Sequence, residues 1–491
     1  MKEFYRLNLN QKRLVILILS GFALLYFVSS AGLNCSNDGS HFALAKSLYH
    51  NHNSEIKPFF SYVQCCDYAE KNGKIYSDRL PGNAFLMLPF LAYAHFIDFA
   101  GLKNLTTLYE ADIVAISILP NICAVFCLIL LFLMFKQSGF AFHYACIATV
   151  AFGLTTLHWL EATHAFSHMP SALFVLLAIY QVLRVKDVFS NRNLVFYSVA
   201  SIGFSALIEL QNILFLLPIA VFLGLSISRV DLLNYKKWVP VLLVSILITS
   251  FFVSSLVFYN YLTFGELLLK SNTYNPNFPE EKSFATALEG NFLPGLDKLL
   301  TSLSNFPVYY KWNLGRGNDI PGIFVSSPLL LISLYGFVLF YKKEKEKALL
   351  FISLITISIL IAAFHKTTLT RHIFTVTPFI FFPFIYVLKN VWESTHNKGI
   401  GVFIISALAL ISFLRQAYIN VTYWGHGGQD FPKFKHELPF FLAFYLPLLG
   451  AIFLYFQLWN NLYFSSRLYT ILSISKTVQP SLPDISENEN P

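Results

Sequence analysis

The sequence predicts an all-α polytopic membrane protein, a bundle of about twelve transmembrane helices with a large first external loop. Three observations carry this. The 491 residues are 55% hydrophobic and only 13% charged, too little polar surface for a soluble chain of this length. Apolar runs long enough to span a bilayer recur from end to end. The basic residues between them cluster in alternate loops, as orientation by positive charge on the cytoplasmic side requires. That rule also accounts for the formal net charge of +8, so nucleic acid is not an expected partner. The 51 phenylalanines need no separate function, because Phe is at home in lipid.

In chain order, the first run, Leu14 to about Gly32, is too long for a signal-peptide core and reads as a retained helix. Lys2, Arg6, Lys12 and Arg13 before it set the N-terminus inside the cell. Residues 1–33 form this tail and helix, and 34–112 the first external loop. Within that loop Phe42, Ala45 and Leu48–Tyr49 recur at helical spacing, which predicts a short interfacial helix over 38–50. The segment 84–100 carries Pro89 and few basic residues after it, and reads as an embedded or interfacial helix. Residues 113–261 supply membrane helices 2–7, 262–319 a long external loop, 320–460 helices 8–12, and 461–491 a polar, acidic, disordered tail. Lys342, Lys343, Lys345 and Lys347, the densest basic cluster, then fall inside, which supports this parity. An extracytoplasmic first loop is compatible with one disulfide among Cys35, Cys65 and Cys66; Cys123, Cys127 and Cys146 read as packing residues. No Walker loop, zinc-spaced Cys/His set or internal repeat is visible.

The external face gathers charges from distant parts of the chain: Asp38 and His41; Asp78 and Arg79; Glu161, His164 and His168; Glu209; Lys366, Arg371 and His372. Charges at helix ends are costly to keep and call for a reason. Asp38 suits a general base, a divalent-metal ligand together with Asp78, or simply the cap of a helix starting at Gly39. Arg79 and Arg371, and more weakly Lys366, suit a phosphate; the plain alternative is interfacial anchoring. Glu161, His164 and His168 are spaced i, i+3, i+7, so a helix would put all three on one face, as metal ligands or as solvated polar groups. Glu209 has almost no loop around it and is either paired or facing a cavity, the cavity being favoured. Tyr259 and Asn260 close a span and open the loop with Asn272–Asn277 and Asn313–Gly317, a composition suited to a sugar or to plain surface.

Asn37-Asp38-Gly39-Ser40-His41 after a first outward helix, then Tyr76-Ser77-Asp78-Arg79-Leu80-Pro81-Gly82, resembles the GT-C superfamily of integral-membrane glycosyltransferases. Bacterial protein mannosyltransferases using dolichyl-phosphate mannose and the aminoarabinose transferases of lipid A are the nearest members. His164–His168, Tyr259-Asn260 with Phe264-Gly265, Ser326–Leu329 and Arg371 ahead of Pro378 extend the likeness over most of the chain. The resemblance implies a GT-C-like bundle with Asp38 as catalytic acid residue and Arg79 near the donor phosphate. Glu161–His168 would occupy the second external loop, with Glu and His in place of a paired Asp motif. It implies a polyprenyl-phosphate sugar donor and a lipid, glycan or protein acceptor, in the plasma (inner) membrane with the site on the extracytoplasmic face. A divalent metal is compatible with this and is not required. The competing reading is a transporter or flippase for a lipid-linked or anionic substrate, which would place its charges in mid-span.

Overall fold

The computed structural model describes residues 4, 6–102, 105–106, 109–225, 227, 234–278, 288–302, 320–365, 369–395, 398–422, 432 and 434–451. It separates into a large unit, Met1–Leu438, and a second unit, Pro439–Pro491, described only as a helix over 439–451. Six helices are long and apolar enough to cross a membrane, and four shorter apolar segments accompany them. The chain is an integral membrane protein.

Helix α1 is Leu9–Val28, started by Asn8, whose side chain accepts the Gln11 N–H while Gln11 reaches back to the Asn8 N–H. The helix expected over 38–50 is α2, Ser36–His50, and most of it is buried. A two-stranded hairpin follows, β1 (Tyr68–Lys71) and β2 (Lys74–Ser77), paired antiparallel with Tyr68 opposite Ser77. An all-α reading did not contain it. Its turn is Asn72-Gly73, both at positive φ (53° and 73°), the sequence that two-residue hairpin turns favour. Helix α3 is Pro81–Phe99, with Pro at its first turn where the missing N–H costs nothing.

Helix α4, Ala111–Gln137, is the hub. Of its most apolar stretch 78% is buried, whereas only 6% is buried in α10, Tyr235–Phe264, whose outward leucines and phenylalanines are exposed. Around α4 pack α5 (Phe142–Thr155), the short α6 (His158–Ala162), α7 (His168–Val182) and α8 (Arg192–Ile208), followed by α9 (Leu216–Leu225). After α10 come α11 (Phe292–Leu300), α12 (Ile323–Ser326), α13 (Leu330–Lys343) and α14 (Lys345–Phe364). A 3₁₀ turn, Thr370–Val376, leads into α15 (Thr377–Phe381), α16 (Phe384–Glu393) and α17 (Lys398–Thr422).

Much of the phenylalanine is in the core and not only against lipid. Phe382 is stacked on Phe135 (ring centroids 5.1 Å) and meets Phe340 and Phe351 at 5.4 and 5.2 Å. Such pairs add to burial because ring edges and faces carry opposite partial charge. This cluster joins α4 to α13, α14 and the residue that follows α15.

Candidate active site

The site begins where α1 ends. Asp38 is fully buried in the first turn of α2, and its carboxylate reaches backwards. The Asn34 N–H donates to Oδ2 at 2.9 Å, and the Cys35 and Gly39 N–H groups donate to Oδ1 at 3.0 and 2.9 Å. Capping is therefore real, but Asp38 supplies it from inside the helix and not from the residue before it. The Cys35 side chain also hydrogen-bonds to this carboxylate. Burial raises the Asp38 carboxyl to about 6 against the pull of these backbone N–H groups.

The neighbouring backbone is close. A Cβ at Gly39 would lie 1.9 Å from the Tyr62 carbonyl oxygen, so only glycine lets α2 sit against the 3₁₀ turn Lys57–Tyr62. Ser36 Oγ accepts the N–H groups of Cys66 and Asp67 at 3.0 and 2.7 Å, and Ser40 and Ser77 share a 2.8 Å hydrogen bond. These contacts fix the hairpin to α2. Of Cys35, Cys65 and Cys66, the last two are bonded to each other as neighbours, and Cys35 is free.

Because Tyr68 lies opposite Ser77, the next positions outward are Asp67 and Asp78. Arg79 serves both: its guanidinium pairs with Asp67, and Nε lies 3.3 Å from Asp78 Oδ1. Asn275 donates to Asp78 Oδ2 at 2.7 Å and to the Cys66 carbonyl at 2.9 Å. Asp67 was not among the expected site residues, and Asn275 lies in the stretch Asn272–Asn277 read as suited to a sugar or to plain surface. The Arg79 side chain keeps 28% exposure. An arginine beside Asp78, and backbone donors on both Asp38 oxygens, do not fit a divalent ion shared by these two carboxylates.

The turn after α6 is tied to the exit of α1. The Ala31 N–H donates to the Thr163 carbonyl at 2.8 Å and Gly32 bridges His164 in parallel. That bridge breaks the helix, so Glu161, His164 and His168 do not share one helical face as their spacing suggested. Glu161 ends α6, His164 lies in the bridge with Nδ1 3.0 Å from the Leu160 carbonyl, and His168 opens α7. The Asn83 and Asn121 amides donate to the Ala165 and Ala162 carbonyls at 3.2 and 2.6 Å, fixing the turn to α3 and α4.

Glu209, favoured as cavity-facing, is paired. His168 Nδ1 lies 2.5 Å from Oε1, Ser167 and Ser171 donate at 3.1 Å each, and Gln211 donates at 3.2 Å. A buried carboxylate needs such partners, and the residues at the start of α7 supply them. Gly82 lets this corner close: its added Cβ would meet the Leu207 carbonyl oxygen at 2.7 Å.

Electrostatics joins the three segments. His41 is buried, both its ring nitrogens lack a hydrogen bond among the described residues, and burial with the charges of Arg79 and His168 drives it down to about 3. It is neutral at pH 7. Glu161 is buried with neither oxygen hydrogen-bonded among the described residues; burial raises it, against the pull of His168 and Arg371. Arg371, in the 3₁₀ turn Thr370–Val376, is buried with its guanidinium 4.8 Å over the Phe166 ring. Arg371 also acts on Cys35, three residues before Asp38. The charges of Arg79 and His168 thus act on His41, those of His168 and Arg371 on Glu161, and those of Asp38 and Arg371 on Cys35.

Tyr76, Tyr259 and Asn260 stand to one side. Tyr76 packs edge-on against Phe264 at 5.2 Å, Tyr259 against Phe85 at 6.4 Å, and Asn260 fastens the following loop through the Leu268 carbonyl and Ser271. They hold the hairpin to the end of α10. Lys366 and Asn313–Gly317 lie outside the described residues.

This arrangement of helices is similar to the fold of solved ArnT and oligosaccharyltransferase structures. Among solved structures, ArnT from Cupriavidus metallidurans bound to undecaprenyl phosphate is similar, with TM-score 0.53 and 11% identity over 84% of this chain and 77% of that one. The archaeal oligosaccharyltransferase AglB from Archaeoglobus fulgidus, in complex with an inhibitory peptide and a dolichol-phosphate, matches with TM-score 0.52 and 11% identity over 85% of this chain. The apo oligosaccharyltransferase from the same archaeon matches at 0.50 and 12% over 84%. The chain spans 57% and 56% of the length of these two archaeal chains. No family model and no curated protein matches the sequence.

Proposed function

We propose that the chain is a glycosyltransferase that moves a sugar from a polyprenyl-phosphate donor to an acceptor on the extracytoplasmic side of the membrane. One observation carries the reading. In a fold similar to that of solved membrane glycosyltransferases, a buried carboxylate with a near-neutral titration point, Asp38, shares its helix with a neutral histidine, His41, on which the charge of Arg79 acts, and adjoins Cys35, on which Arg371 acts. These are the groups the transfer needs.

In the proposed step a hydroxyl or amine of the acceptor attacks the anomeric carbon and gives its proton to the Asp38 carboxylate. The bond from that carbon to the phosphate oxygen breaks, and the lipid phosphate leaves with the electron pair. Attack opposite the leaving group inverts the anomeric centre. Arg79 and Arg371 stabilise the departing phosphate, their fixed guanidinium forks needing little reorganisation. Asp67 and Asp78 aim Arg79, and Asn275 aims Asp78. His41, held neutral, offers a donor or acceptor without adding positive charge beside the base. Burial excludes water, which would otherwise compete as acceptor.

The test uses the purified full chain in lipid vesicles with a radiolabelled sugar on polyprenyl phosphate and acceptors of lipid, glycan and peptide type. The expected result is label in one acceptor class with equal release of free polyprenyl phosphate. Donor that crosses the bilayer intact, or remains uncleaved with every acceptor class, contradicts the proposal.

A further inference from the structure

A second group of ligating side chains lies away from this centre, where α2, α3 and α4 meet. His50 ends α2, His95 lies in α3, and Asp112 opens α4. One donor atom from each lies within 4.8 Å of the other two. No other trio of His, Cys, Asp or Glu among the described residues meets that condition. The site is distinct from the Asp38 centre: His50 and Asp38 are at opposite ends of α2, about 18 Å apart at 1.5 Å rise per residue.

The three donors are held by their surroundings. Tyr49 is stacked on the His95 ring at 5.0 Å, which orients the imidazole, and the His50 ring meets His95 edge-on, also at 5.0 Å. His95 Nε2 is buried, has no hydrogen-bond partner among the described residues, and faces Asp112 Oδ1 across 3.9 Å. That gap is too long for a hydrogen bond. Donors around a tetrahedral ion with bonds of 2.0–2.1 Å stand about 3.4 Å apart, so a shift of about half an ångström closes this pair onto a metal. His50 is exposed, so the remaining coordination position opens to water.

One cation opposes this. Lys46 Nζ lies 2.7 Å from Asp112 Oδ2. It holds the other oxygen, however, and leaves Oδ1 turned to His95. Its charge is also shared: Glu110 lies 3.9 Å away, the Tyr62 hydroxyl donates to Glu110 at 2.6 Å, and the Phe42, Phe59 and Tyr62 rings lie 5.3–5.6 Å from the ammonium. Lys46 therefore acts as an outer partner that fixes the ligating carboxylate, as such partners do in metal sites.

We propose that His50, His95 and Asp112 form a structural binding site for a borderline divalent cation of the Zn²⁺ type. Two imidazoles and one carboxylate suit that class. Bound there, the ion clamps the far end of α2 to α3 and α4 and so steadies the helix that carries Asp38.

The test is Co²⁺ titration of the full chain in detergent, purified without a histidine tag and stripped with chelator. The expected result is one Co²⁺ per chain with the visible absorption of a tetrahedral site, displaced by Zn²⁺. His50→Ala, at an exposed position where packing is spared, is expected to weaken binding at least tenfold, and Asp112→Asn likewise. Asp38→Asn is expected to leave Co²⁺ affinity unchanged. Absence of saturable Co²⁺ binding, or equal affinity in wild type and His50→Ala, overturns the assignment.

Discussion

Asp38→Asn is expected to lower the rate of sugar transfer by about 10²- to 10⁴-fold, the contribution of a positioned general base. The chain should still fold, because Asn with its oxygen at the Oδ1 position still accepts the Cys35 and Gly39 N–H groups and gives up only the bond from Asn34. Asp38→Ala loses those bonds and should cost about 1 kcal/mol as well. The pH profile separates the roles. A base must be ionised, so wild-type activity should rise with pH through about 6, and this limb should vanish in Asp38→Asn. Stability runs the other way. The folded Asp38 titrates above the ordinary value of about 3.9, so its stabilising contribution is complete below about pH 4. It is lost as pH rises through about 6. Rates and melting temperatures of the two variants between pH 4 and 8 check both statements.

Arg79→Lys should lower kcat by about a hundredfold, the cost of losing one aimed donor to a developing anion. Lysine keeps a positive charge between Asp67 and Asp78 but cannot make the planar, two-pronged contact of guanidinium with phosphate. The melting temperature should therefore stay near that of the wild type. Arg79→Met should lower it, because two adjacent carboxylates then face each other without a cation. Steady-state kinetics against donor concentration, set beside thermal unfolding of the two variants, distinguishes a phosphate ligand from an ion pair that merely fastens the hairpin. Equal melting and equal kcat in Arg79→Lys and wild type would remove Arg79 from the chemistry.

Apolar runs and basic loops made the helical membrane class legible, and the spacing of Phe42, Ala45 and Leu48 located α2 within two residues of its observed start. What the runs could not tell was which helix is central. Both α4 and α10 are apolar all round, so no polar stripe marks the buried one. The hairpin was readable in principle from Asn72-Gly73, but its strands are four residues each and carry too little alternation to compete with the helical pattern. Missing it hid Asp67, whose position opposite Asp78 follows only from the strand register. Glu161, His164 and His168 illustrate a different limit. Local spacing assumed a continuous helix, and a bridge from Gly32, remote in sequence, broke it. The pairing of Glu209 with His168 is likewise a contact between distant segments, invisible to periodicity.

The most direct measurement is an experimental structure of the full chain in a lipid nanodisc with undecaprenyl phosphate. The account predicts the phosphate within hydrogen-bonding distance of the Arg79 or Arg371 guanidinium, with the prenyl tail passing into the bilayer and Asp38 in the same chamber. Phosphate bound at the Lys342–Lys347 face, or anywhere that places Asp38 across the membrane from it, would contradict the account.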